Sequence, residues 1–384
     1  MNNFSYHNPV KVIFGKGTIK GLSNAIPADA RVLVTYGGGS IKKNGVHKQV
    51  MDALKGRAAF EFGGIEANPR YETLIKAVEL VKGEKIGFLL AVGGGSVIDG
   101  TKFIAAAARY AKGDPWDILA KNAAVEDAVP LGTVLTLPAT GSEMNCLAVV
   151  SRDATQEKLH FASPLVYPRF SILDPEVTYS LPKRQLANGI VDTFTHVMEQ
   201  YATQDINTPL QDRQALAIIE TLVEIAPKIL SDRMDYDARA GLMWCATHAL
   251  NGLLSCGTET DWSTHMIGHE LTAFFGIDHA QSLAIVLPGV WEHQIFNKAP
   301  RLASYGKAIW GLDQINALER ARAAIEKTEI FFLSLGVGTR LIDYGIKEDG
   351  VEKIVSRFKE RGTRLGELKN IGADEIGQIL RLRL

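Results

Sequence analysis

The chain has 384 residues, 46% hydrophobic and 22% charged, the balance of an ordinary soluble globular protein rather than a disordered, collagen-like or coiled-coil one. Its length predicts two to three domains. Forty-two Lys and Arg against 43 Asp and Glu leave a net charge of -1, so no global field favours nucleic acid or an anionic membrane as partner. The longest apolar runs fall short of the ~20 residues of a membrane span. Met1 to His7 has neither the basic segment nor the apolar core of a signal peptide. Cys146, Cys245 and Cys256 are too few for a disulfide framework and lack the spacing of a zinc ribbon. They read as small buried residues of a cytoplasmic protein.

In chain order, residues 10–14 read as an edge strand able to pair with a two-fold mate, which predicts a homodimer. Residues 31–36, 86–92 and 131–137 are short apolar runs with β-branched content and read as buried strands. Helical periodicity fills residues 71–82 and 97–110 between them. Strands alternating with helices predict a parallel, Rossmann-like open sheet. From Pro182 onward the strand signal nearly vanishes. Residues 185–201, 211–230, 235–255, 261–275 and 318–335 carry apolar residues at three- to four-residue intervals and read as packed amphipathic helices. Residues 173–182, with Pro175 and Pro182, form the predicted junction. The expected organisation is an α/β dinucleotide-binding domain over residues 1–180 and an all-α metal-binding and substrate domain over 181–384.

Three turns in the first half suit a nucleotide. Gly93-Gly94-Gly95-Ser96 through Asp99 follows a predicted strand and opens a predicted helix, where glycines admit close backbone approach and the helix N–H groups face a diphosphate. Ile98 stands where the third glycine of a G-x-G-x-x-G fingerprint belongs, so the loop is not that motif. A second loop, Gly37-Gly38-Gly39-Ser40, follows the first buried strand. It carries no Asp or Glu to repel a 2′-phosphate, and Lys42 and Lys43 follow it, which predicts NADPH over NADH. The third turn, Thr136 to Glu143, adds the hydroxyls of Thr136, Thr140 and Ser142.

The second half carries a candidate metal group. Asp192 and His196 are four residues apart in one predicted helix and project about 40° from each other. His265 and His269 repeat that spacing, and His279 follows ten residues later. One Asp and three His make a nitrogen-rich site for Zn2+ or Fe2+. Spacing alone points to His265 and His269 as the second pair and leaves open whether His279 replaces one of them. His248 and His293, isolated on helices, read as structural.

Together these residues resemble the iron-containing (group III) alcohol dehydrogenase family. Ser171 to Asp174, Pro182, Ala187-Asn188-Gly189, Asp192 and Glu199 follow the family's first signature in order and spacing. His265-Met266-Ile267-Gly268-His269 through His279-Ala280 follows its second, with Ala280 where many relatives carry Gly. The resemblance covers essentially the whole chain and is nearest the butanol dehydrogenase branch of NADPH-dependent aldehyde reductases. It implies a dehydroquinate synthase-like two-domain architecture and the metal ligands Asp192, His196, His265 and His279. His269 is then placed beside the substrate as the catalytic residue for proton delivery. Implied NADP(H) contacts are Gly37, Gly38, Ser40, Asn68, Gly94, Gly95, Ser96, Asp99, Thr136, Thr140, Ser142, Asn145 and Lys158; Asp99 also has a structural reading in the first turn of its helix.

The activity expected is hydride transfer between NADP(H) and short- to medium-chain aldehydes or primary alcohols, with one divalent ion, zinc or iron, polarising the carbonyl. The ion is expected where the two domains meet, with the nicotinamide over it. An NAD-dependent polyol dehydrogenase or a dehydroquinate synthase-like lyase is the alternative. A lyase of that kind needs several Lys and Arg for its anionic substrate, whereas Trp244 to Phe275 contains neither, which favours a small, weakly charged substrate. A non-enzymatic nucleotide sensor has no use for an Asp/His metal group.

Overall fold

The computed structural model describes residues 1–232, 234–313 and 316–384. Its internal contacts group the chain into two compact units. One comprises His7–Leu181 with Asp232–Asn251, the other Met1–Tyr6, Pro182–Ser231 and Gly252–Leu384.

In the first unit, β1 (Lys11–Phe14), β2 (Val32–Tyr36), β3 (Ala59–Phe62), β4 (Phe88–Gly94) and β5 (Leu131–Leu137) join β8 (Phe170–Leu173) in one sheet. Its strands are all parallel and run in the order β1-β8-β5-β4-β2-β3. β6 (Leu147–Arg152) and β7 (Glu157–Ala162) form a separate antiparallel pair. Side chains alternate between the two faces. Val32, Val34 and Tyr36 join Phe88, Leu90 and Val92 on one side, while Leu33 joins Leu89, Ala91 and Leu135 on the other. The first face is covered by α1 (Leu22–Ala25), α2 (Ser40–Lys43) and α3 (Val46–Ala53), the second by α4 (Tyr71–Gly83), α5 (Gly95–Ala107) and α6 (Asp117–Ala120). Burial on both sides explains why these strands read as continuous apolar runs.

The chain leads from β2 outward to β3, but from β4 to β5 on the opposite side. Tyr36 pairs in register with Val92, and Gly94 with Leu137. The loops after β2, β4 and β5 therefore leave one edge at nearly the same height. That is a topological switch point, where open α/β sheets bind ligands.

In the second unit the first two helices are α7 (Lys183–Tyr201) and α8 (Pro209–Ser231). The next helix, α9 (Tyr236–Ala249), belongs instead with the sheet, although it was expected among the C-terminal helices. Its Thr247 donates to Glu143 Oε1 at 2.6 Å, a long-range bond that the sequence pattern does not display. The remaining helices are α10 (Ser263–Phe275), α11 (His279–His293), α12 (Ile295–Trp310), α13 (Ala317–Ser334), α14 (Glu348–Arg361) and α15 (Ala373–Arg381). Ile267, Leu271, Ile285, Val286, Ile354 and Phe358 share one buried cluster with Ile376 and Ile379. α11 and α12 run through Pro288 and Pro300, which hides them from a reading that treats proline as a break. Among the described residues no helix is long and apolar enough to cross a membrane.

Candidate metal and nucleotide sites

Helix α7 is buried along most of its length yet carries Asp192, Thr193, Thr195, His196, Glu199 and Gln200 in succession. Some of these polar groups are satisfied within the helix. Thr193 and Thr195 donate to the carbonyls four residues back, Gly189 and Val191, at 2.7 and 2.9 Å, and Gln200 Nε2 donates to His196 O at 2.7 Å. Asp192, His196 and Glu199 lie on one face, since offsets of four and seven residues return the helix to about the same direction.

α10 and α11 bring the other histidines to that face. Potential ligand atoms of Asp192, His265 and His279 lie within 4.8 Å of one another. His265 Nε2 and His279 Nε2 are each 3.8 Å from Asp192 Oδ1, and His196 Nδ1 is 3.6 Å from the same oxygen. The His196 and His265 rings stack at 4.6 Å. His269, one turn beyond His265, has its ring 5.4 Å from that of His279 and is outside the three-residue group. His248 and His293 are elsewhere, next to Asn251 and Gln378.

The donor set fits a divalent cation. His196 Nδ1 and His265 Nε2 are buried with no hydrogen-bond partner among the described residues, a costly arrangement unless a ligand completes it. Burial pushes His196 down to about 4, leaving it neutral near pH 7. Burial also opposes charge on His265, but the Glu199 and Asp192 carboxylates outweigh it and raise this group to about 9. The space between His265 Nε2 and Asp192 thus favours positive charge, whether a proton or a metal ion supplies it.

In the sheet unit, α5 begins at Gly95 behind Gly94, with no side-chain cap and no acidic residue in its first turn. Its first N–H groups are suited to an anion. A Cβ on Gly95 would lie 2.4 Å from Thr140 Oγ1, so glycine is required where these two loops meet. Asn68, held at φ 57°, donates its N–H to Ser96 Oγ at 3.2 Å. A Cβ on Gly38 meets nothing within 4 Å. Thr136 and Lys158 are buried.

Asp99, Ser142 and Asn145 are tied into an internal network. Ser142 Oγ donates to Asp99 Oδ1 at 2.6 Å, and Val149 N donates to Asp99 Oδ2 at 3.0 Å. At the centre is Lys102, fully buried, donating to Ser142 Oγ, Asn145 Oδ1 and Leu147 O at 2.8, 3.0 and 2.8 Å. Burial pushes Lys102 down to about 8 against the pull of Asp99. Lys42, which follows the Gly37–Ser40 loop, is 3.3 Å from Glu61 Oε2. Lys102 lies three residues after Asp99 on α5, but no motif in the sequence marks it. In the sequence Glu199 stands out only as part of the family signature, although it shares the helical face of Asp192 and His196.

A family model of the iron-containing alcohol dehydrogenases matches residues 9–175, and one of the C-terminal region of the Fe-containing alcohol dehydrogenase family matches residues 186–384. The chain is 53% identical over 377 residues to the NADPH-dependent aldehyde reductase YqhD of Escherichia coli (strain K12), covering 97% of each. It is 42% identical over 389 residues to the probable NADH-dependent butanol dehydrogenase 1 of Bacillus subtilis (strain 168), covering 100% of each. A crystal structure of E. coli K-12 YqhD matches it with a TM-score of 0.98 at 52% identity, covering 100% of this chain and 99% of that one. With both halves matched and relatives this similar along their full lengths, the chain belongs to the iron-containing alcohol dehydrogenase family.

Proposed function

We propose that this family member is a metal-dependent, NADPH-linked aldehyde reductase acting on short- to medium-chain aldehydes and the corresponding primary alcohols. The observation that carries this reading is the meeting of the buried Asp192 and His265 with the part-buried His279, joined by His196, around two imidazole nitrogens with no hydrogen-bond partner among the described residues. A cation bound there supplies Lewis-acid polarisation of a carbonyl, and a bound nicotinamide supplies or accepts hydride. Asp192, His196, His265 and His279 are the four side chains that would hold the cation, zinc or iron(II). His269, beside His279, moves a proton to or from the substrate oxygen through a ring nitrogen.

The nucleotide falls to the switch-point edge. Gly94, Gly95 and Ser96 present backbone donors to a diphosphate, with Asn68, Thr136, Thr140 and Lys158 around them. Asp99, Ser142 and Asn145 shape the edge through the Lys102 network as well as by any direct contact. Gly37, Gly38 and Ser40 receive the 2′-phosphate, because that loop has no carboxylate and Gly38 opens onto free space. The NADPH-dependent relative favours this choice, and the NADH-dependent one makes it worth testing. The division near residue 180 is proposed as a functional one, with nucleotide binding in His7–Leu181 joined by Asp232–Asn251 and metal and substrate binding in Pro182–Ser231 and Gly252–Leu384. Homodimer formation through β1 at the sheet edge, and a cytoplasmic setting for the three free cysteines, complete the proposal. A stable monomer in sedimentation at micromolar concentration, or recovery outside the cytoplasmic fraction, would count against those two parts.

The deciding experiment is cofactor oxidation with NADPH and with NADH across aldehydes of graded length, alongside elemental analysis of the purified protein. Aldehyde-dependent NADPH oxidation with about one zinc or iron per chain is expected. A metal-free enzyme with full activity, or no aldehyde turnover, refutes the reading.

A further inference from the structure

We propose that Glu199 is a positioning residue of the cation site, fixing His265 in the tautomer that carries hydrogen on Nδ1 and turns Nε2 towards Asp192 and His279. This rests on the reading that Asp192, His196, His265 and His279 hold a cation. Glu199 is buried on α7 and receives three N–H donors from the start of α10. Its Oε1 accepts from Thr264 N at 2.7 Å and from His265 N at 3.3 Å, while its Oε2 pairs with His265 Nδ1. One carboxylate thus caps the helix bearing His265 and sets the ring's hydrogen.

The surrounding chain holds the pair in register. Asp261 N donates to Glu199 O at 2.8 Å, and Asp261 Oδ1 accepts from Ser263 N at 2.8 Å. The other Asp261 oxygen is 2.9 Å from the buried Lys298 Nζ, which also lies 3.0 Å from Glu367 and donates to Ala202 O at 2.7 Å. The approach to His265 therefore has little freedom to adjust if Glu199 changes.

Glutamine would preserve the shape of Glu199 but retain only one acceptor oxygen. If that oxygen faces the two backbone donors, the amide N–H faces His265 Nδ1. The ring must then accept there and move its hydrogen to Nε2, against the cation. If the amide is reversed, two buried backbone donors are stranded. The first arrangement leaves fewer groups unsatisfied, so Glu199→Gln acts chiefly by inverting the tautomer.

The test measures metal affinity and ring protonation on the full chain, independently of turnover. Metal-stripped wild type and variants are titrated with Zn2+ against a chromophoric chelator, and histidine nitrogen NMR is recorded on the zinc-loaded protein. Glu199→Gln is expected to weaken Zn2+ binding about 10–100-fold. Glu199→Asp, which keeps both oxygens and the charge, should recover part of the affinity. Zinc-loaded wild type should show His265 protonated at Nδ1 alone. Protonation at Nε2 in that spectrum overturns the proposal even if no variant folds, and so does wild-type affinity in Glu199→Gln. Failure of wild type to bind Zn2+, Fe2+ or Co2+ removes the cation reading itself and is a separate result.

Discussion

At the switch-point edge of the sheet the candidate binding groups are backbone N–H donors laid open by glycine, whereas in the helical unit they are carboxylate and imidazole side chains gathered from α7, α10 and α11. A backbone-built edge is changed mainly by what a substitution adds. A side-chain site is changed by what is taken away. The two regions therefore call for opposite kinds of mutation, and single substitutions can test the contrast.

The largest effect is expected from removing a ligand. Asp192→Ala or His265→Ala should leave little bound metal and lower turnover about 1000-fold, the equivalent of several kcal/mol of charge stabilisation. Elemental analysis and steady-state rates check both parts. Normal activity without metal breaks the comparison on the side-chain side. At the backbone edge, Gly38→Asp adds a carboxylate where the structure has open space and should cost NADPH binding roughly 1.5–3 kcal/mol while sparing NADH. Gly38→Ala, which meets nothing within 4 Å, is the control. Equal loss with both cofactors would show that the added bulk, not the charge, matters.

Lys102 sharpens the contrast, because this part of the backbone edge depends on a buried side chain. Its folded value of about 8 lies below the ordinary 10.5, so between these values the unfolded chain binds more protons. Stability from this group is therefore full above about 10.5 and falls as pH drops towards 8. Wild type should gain about 2 kcal/mol relative to Lys102→Met between pH ~8 and ~10. A gap in unfolding free energy that stays constant over that range would remove the buried-charge account. The smallest effect is expected at His269. His269→Ala should keep its metal and lose about ten-fold in turnover with an altered pH profile. An unchanged profile would assign His269 to packing.

The buried strands were legible in the sequence because both faces of β2, β4 and β5 are apolar and short. Even the glycine loops showed, though α5 begins at Gly95, two residues before the periodicity suggests, because the glycine itself enters the helix. The short β3, Ala-Phe-Glu-Phe, alternates too briefly to announce itself. The approach to α10 was expected from residue 261, but Asp261 spends its side chain on Ser263 N and the helix starts there. In the metal site, spacing gave the pairs Asp192/His196 and His265/His269. It could not choose between His269 and His279, because that choice depends on how α10 and α11 pack. The Asp99–Ser142–Lys102 network joins residues about forty positions apart, beyond any local pattern.

The placement of α9 has a consequence for how the protein can be divided. A fragment ending at Leu181 would contain all eight strands found among the described residues but lack Thr247 and Leu250, leaving Glu143 Oε1 without that donor and one Asn145 N–H without that acceptor. The nucleotide-side unit is discontinuous in sequence: ribosomal synthesis must reach residue 251 before its last helix exists, after α7 and α8 of the other unit have already emerged. Assembly of the first unit is thereby interleaved with the start of the second, and a minimal nucleotide-side protein must be made by splicing His7–Leu181 to Asp232–Asn251, not by truncation.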